Sequence, residues 1–130
     1  MDLDETVYLW TETILPYGLQ PKLPMVELSK MVERLWMVHY PSQKPPRLQG
    51  ARVEGRAETN GLIIHLPAQA QYVGALLHEV AHIFELYEGR SGDHGPDFMK
   101  TVIRLYDTHL PVSEREMRAT ARSMGIEVSA

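Results

Sequence analysis

Cysteine is absent from this chain of 130 residues. That excludes disulfides, cysteine-ligated zinc, a thiol nucleophile and an iron–sulfur cluster of the usual kind, so any metal must sit on His, Asp or Glu. A positive excess is missing as well. Thirteen Lys and Arg stand against seventeen Asp and Glu, a formal net charge of -4, which argues against a protein that coats nucleic acid electrostatically. Nor is there an apolar run approaching the roughly 20 residues needed to span a bilayer. The most apolar stretch, Tyr72 to Phe84, is interrupted by His78, Glu79 and His82. The opening Met1-Asp2-Leu3-Asp4-Glu5 is acidic and has neither the basic-then-apolar order of a secretory signal nor the arginine-rich order of a transit peptide. A soluble, cytoplasmic protein with neither membrane nor nucleic-acid partners is expected. Hydrophobic residues at 44% and charged residues at 23% are ordinary usage for a globular chain, and the length suits one domain over residues 1–130.

Apolar spacing organises the chain. Leu3, Val7, Trp10 and Ile14 recur at intervals of four, three and four, which predicts an amphipathic helix from Asp2 to about Leu15, ending before Pro16. Leu28, Met31, Val32, Leu35, Trp36 and Tyr40 predict a second from Val26 to Tyr40, stopped by Pro41. Lys44, Arg47, Arg52 and Arg56 make the next stretch locally basic, as a solvated loop and strand face would be. Asn60-Gly61 lies between candidate strands Leu48 to Ala57 and Leu62 to Leu66 and suits a tight hairpin turn. Beyond Pro67, one long helix is expected from Gln69 to Glu88, with Val73, Leu77, Val80, Phe84 and Tyr87 as its stripe and Gly89 and Gly92 breaking it. Pro96 suits the first turn of a helix running to about His109. Ser113 and Glu116 have capping-box spacing for a last helix from Glu114 to Met124, with Gly125 as its stop.

Within the long helix, His78-Glu79-Val80-Ala81-His82 carries two histidines four residues apart. One helical turn separates them, so both imidazoles point to the same side and can bind one Zn²⁺, with Glu79 close enough to act on a metal-bound water. The bland alternative is a pair of surface histidines flanking a solvated glutamate. A catalytic zinc normally has three protein ligands and an open position, so a third must come from downstream. A metzincin would have glycine at position 85 and histidine at 88, where this chain has Glu85 and Glu88, and that class is excluded. His94 is the best candidate, because it follows a turn and precedes Gly95-Pro96, where the chain reverses into the next helix. Carboxylates at Glu85, Glu88 or Asp93 are the alternatives, Glu85 foremost because it lies one turn beyond His82.

His78-Glu79-Val80-Ala81-His82, then eleven residues, then His94-Gly95-Pro96-Asp97-Phe98 resembles the SprT-like zinc metallopeptidases, which carry HExxH followed by an HGPxF-type motif. It also looks like small metallohydrolases of that style from actinobacteria and their phages. The likeness covers about Gly61 to Tyr106. It implies His78, His82 and His94 as zinc ligands and Glu79 as catalytic base, with Gly95, Pro96 and Phe98 shaping the third ligand's turn. The family's frequent cysteine-ligated zinc ribbon has no counterpart here, and a role in DNA–protein crosslink repair is not implied.

The expected fold is α+β, a minimal zincin-like core with N-terminal helices, a small sheet containing the hairpin, the active-site helix and C-terminal helices. The expected activity is zinc-dependent hydrolysis of a peptide or protein substrate, in which Glu79 takes the proton of the zinc-bound water and passes it to the leaving amine. A zinc hydrolase of another amide or ester, and a binding module that the metal merely staples, are the alternatives. An extended peptide is expected to pair with Leu62 to Leu66 as an exposed edge. Asp93 or Asp97 is expected to support a ligand histidine. Tyr72, Tyr87, Tyr106, His65 and His109 are candidate oxyanion stabilisers, each equally at home as a packing or surface residue. Arg115, Arg118 and Arg122 share a helix face that suits solvent or an acidic partner.

Overall fold

The computed structural model describes residues 1–16, 20–50, 58–59, 62–90 and 93–130. Among them the order is α1 (Leu3–Ile14), α2 (Met25–His39), β1 (Arg47–Gln49), β2 (Glu58–Thr59), β3 (Ile63–His65), a 3₁₀ turn at Ala68–Ala70, α3 (Val73–Tyr87), α4 (Pro96–His109) and α5 (Glu114–Ser123). The class is α+β. No helix among the described residues is long and apolar enough to cross a membrane. The chain divides into two compact units, Met1–Gln20 with Phe84–Ala130 and Pro21–Ile83, the boundary falling inside α3.

The first unit is built on α1, α4 and α5. Asp2 caps α1 by accepting the Glu5 backbone N–H at 2.8 Å, and Asp4 and Glu5 place negative charge at the positive end of the helix. The helix ends ahead of Pro16 because the residue before proline is barred from helical geometry. Pro96 opens α4, where its missing N–H costs nothing. Ser113 accepts the Glu116 N–H at 3.1 Å and starts α5. Val7, Trp10, Phe98, Met99, Val102, Ile103, Tyr106, Met117 and Ala121 are buried, and full burial of each large one contributes about 1.5–3 kcal/mol. The Trp10 indole also donates to the Met117 carbonyl at 3.3 Å, which satisfies a polar edge that burial would otherwise penalise. Gly89 and Gly125 have φ of 73° and 76°. Each ends its helix in a left-handed turn closed by a six-residue return bond, Arg90 to Glu85 at 2.9 Å and Ile126 to Ala121 at 2.9 Å.

The second unit packs α2 on a three-stranded sheet and contains α3 up to Ile83. Its buried side chains include Leu28, Val32, Leu35, Trp36, Ile64, Leu66, Leu76, Leu77 and Val80. The strand order is β1-β3-β2, and this corrects two expectations. The strands flanking Asn60-Gly61, Glu58–Thr59 and β3, pair antiparallel as expected of a hairpin, but Leu48, expected in the first arm of that hairpin, pairs with Ile64 in parallel. The Asn60-Gly61 turn and the expected strand beyond Gly50 lie outside the described residues up to residue 57. Secondly, β3 is the central strand and both its edges are filled, so it is not an edge for an incoming peptide.

The helix expected from Gln69 begins four residues later. Leu23 donates to the Gln71 carbonyl at 3.3 Å, Val73 donates to that of Pro21 at 3.1 Å, and Lys22 bridges to Tyr72. This pairing with a distant segment engages the backbone ahead of α3, and the chain turns once at Ala68–Ala70 before α3 starts at Val73.

Candidate metal centre

The middle of α3 is buried nearly all round, from Leu76 to Ala81 without a break. Val73, Leu76, Leu77, Val80, Ala81, Ile83 and Phe84 are all buried, and the helix that places them presents His78, Glu79 and His82 within five residues. His78 and Glu79 are buried and His82 is half-buried. The two rings meet edge to face with centroids 4.9 Å apart, and the Nε2 atoms face one another at 3.2 Å. Two Zn–N bonds of about 2.05 Å at a tetrahedral angle would leave their nitrogens about 3.3 Å apart. The pair therefore has the separation of one edge of a tetrahedral site.

His94 precedes α4 and is buried. One ligating nitrogen each from His78, His82 and His94 lies within 4.8 Å of the other two. Three neutral imidazoles are a donor set that suits zinc and other borderline divalent metals, so the side chains present fit a metal ion. The local turn is closed by Asp93, whose Oδ1 accepts the Gly95 N–H at 3.2 Å. A Cβ at residue 95 would stand 3.1 Å from that same oxygen, so a side chain there would have to displace the exposed Asp93 carboxylate by a few tenths of an ångström.

The carboxylates considered as third ligands are not in this group. Glu85 is almost fully buried, accepts from the Thr101 hydroxyl at 2.5 Å and is ion-paired with Arg90. Its hydrogen bond to the Glu85 carboxylate, helped by the negative charges of Glu85, Asp97 and Glu88, holds the Arg90 guanidinium above its ordinary pKa. Glu85 is thus a structural anchor at the end of α3. Glu88 and Asp93 are exposed. The expected support from Asp93 or Asp97 also needs correction. Asp93 is taken up by Gly95, and Asp97 accepts from Ser129 Oγ at 2.7 Å and lies 3.8 Å from Arg90. The carboxylate that meets His94 is that of Asp4, whose Oδ1 is 2.9 Å from His94 Nδ1.

Asp4 and Tyr8 were missed by reading the sequence. They stand four apart on α1, and Tyr8 meets the His94 ring edge to face at 5.5 Å while Phe98 does so at 5.0 Å. The available signal was that Asp4 and Tyr8 share a helix face, but Asp4 is equally well explained as a favourable charge in the first turn. Of the candidate oxyanion stabilisers, Tyr106 is buried with its ring centroid 6.3 Å from Trp10, Tyr72 lies under the Lys22 ammonium at 5.9 Å, and His65 belongs to the central strand. His109 is exposed at the end of α4. Arg118 pairs with Glu114 at 2.8 Å and donates to the Ser129 carbonyl at 2.9 Å, while Arg115 and Arg122 are exposed.

No family model, no curated protein and no solved structure matches the chain.

Proposed function

We propose that the chain is a zinc-dependent metallohydrolase with a zincin-like core, a peptidase of the SprT-like kind acting on a peptide or protein substrate. The observation that carries this reading is the convergence of three histidine nitrogens within 4.8 Å, two of them on the helix that also carries Glu79. His78, His82 and His94 would hold the zinc. When bound, zinc supplies a Lewis acid that polarises a substrate carbonyl and acidifies a water.

Glu79 performs the proton work. It adjoins His78 on α3 and is buried, where a carboxylate is shielded from bulk water and aimed by the helix rather than by its own flexibility. It takes the proton from the attacking water and returns it to the leaving amine, so that neither hydroxide nor an amide anion need be released into solution. A module in which the metal only staples the fold would have no use for such a base and would close the site with a fourth protein ligand.

The first test is metal content. Elemental mass spectrometry on protein purified without chelators should give about one zinc per chain, lost or much weakened in His94→Ala. Absence of metal from the wild type, even after zinc is added back, overturns the reading. With zinc established, unstructured polypeptides, small amides and esters compared side by side decide the substrate class, with polypeptide cleavage expected to dominate.

A further inference from the structure

We infer that Asp4 is a positioning residue of the metal centre, so that the N-terminal helix α1 belongs to the site as well as to the fold; this rests on the zinc reading above. The Asp4 carboxylate meets His94 Nδ1 at 2.9 Å across 90 residues of sequence. Donation of the Nδ1 proton to Asp4 fixes the tautomer and leaves the Nε2 lone pair as the one that can ligate. The negative charge also makes that nitrogen a stronger donor.

His78 and His82 obtain their mutual geometry from one helix, but His94 lies outside regular structure and needs its orientation from elsewhere. Asp4 holds one edge of the ring by hydrogen bonding, and Tyr8 and Phe98 hold it by edge-to-face packing at 5.5 and 5.0 Å. Two of these three residues are on α1. The competing explanation for Asp4 is stabilisation of the first turn of α1. That role is already filled in part by Asp2, which caps the helix, and by Glu5. Burial gives a further distinction: the His94 side chain is 8% exposed and that of Asp4 is 67% exposed. An exposed carboxylate turned onto a buried imidazole matters more to the imidazole's direction than to the hydrophobic core.

The experiment measures Zn²⁺ affinity by competition with a chromophoric chelator, using full-length protein without an N-terminal extension or histidine tag. Wild type, Asp4→Ala, Asp4→Asn and His94→Ala are compared, alongside the thermal midpoint of each metal-free protein and the visible absorption of its Co²⁺ form. Asp4→Ala should bind zinc about 10–100-fold more weakly, the range for loss of a ligand's hydrogen-bond partner. Asp4→Asn, which keeps an acceptor oxygen but not the charge, should recover part of that loss and show an altered Co²⁺ band. Both metal-free variants should melt near the wild type. Asp4→Ala affinity within twofold of wild type, with His94→Ala deficient, overturns the role of Asp4 and leaves the zinc site standing. Undiminished affinity in His94→Ala overturns the three-histidine reading itself. If Asp4→Ala does not fold, Asp4→Asn decides. Weak binding that merely follows unfolding of the metal-free protein in both variants also overturns the inference, because loss of helix stability explains it.

Discussion

The middle of α3 and the turn before α4 supply the same kind of side chain to the centre by different means. His78 and His82 are held by one turn of helix, with Nε2 atoms 3.2 Å apart, and any amphipathic helix buried on the correct stripe would bring them together. His94 has no regular backbone to direct it and depends on Asp4 and Tyr8 from α1 and on Phe98 from α4. Glu85, just past the histidine pair, anchors the approach to that turn through Thr101 and Arg90. A helical ligand pair is thus robust to distant changes, whereas a loop ligand is only as well placed as its neighbours.

Three substitutions probe that difference. The largest effect is expected for Glu79→Gln, which alters the chemistry of the helical segment without altering its geometry. It should retain about one zinc while kcat falls by about 10²–10⁴-fold, the usual contribution of a general base. Peptide cleavage at the wild-type rate would remove Glu79 from the mechanism. Next comes Thr101→Val, which leaves a Glu85 oxygen buried without its hydroxyl donor. A loss of about 1–3 kcal/mol is expected in urea unfolding, and an unchanged midpoint would show that Arg90 and solvent suffice for Glu85. The smallest is Gly89→Ala, which forces a side chain into the left-handed conformation that closes α3. It should cost about 1–2 kcal/mol and weaken zinc binding only as far as the His94 turn shifts. Zinc titration of the folded variant would show whether that turn tolerates strain at its entrance.

Much of the fold was legible because it rests on local rules. Helix α1 was read from the four-three-four spacing of Leu3, Val7, Trp10 and Ile14, α4 from Pro96 and α5 from the Ser113 cap. The start of α3 was misplaced because the backbone of residues 21–23 pairs with that of residues 71–73, and the helix starts only at Val73. The antiparallel pairing of the strands flanking Asn60-Gly61 was legible from the turn signal, whereas the parallel pairing of Leu48 with Ile64 was not, because no local signal encodes which more distant strand joins a sheet. At the site, the histidine pair was readable from periodicity and His94 from its place before Gly95-Pro96. Asp4 was not, since an aspartate in a first helical turn has a sufficient local explanation.

The sequence by itself determined the chemistry open to this protein: without cysteine, with two histidines one helical turn apart, a glutamate between them and a third histidine after a turn, it can offer a metal three imidazoles and a carboxylate base. The period of the α-helix made that much a matter of counting. Tertiary structure alone decided that Glu85 would be tied to Thr101 and Arg90, that β3 would be a central strand, and that Asp4, not Asp93 or Asp97, would meet His94. Apart from the local Glu85–Arg90 pair, those outcomes bring in residues more distant in the chain, Thr101 for Glu85, Leu48 for Ile64 and Asp4 for His94, and such contacts are selected by burial and hydrogen-bond satisfaction over the whole fold.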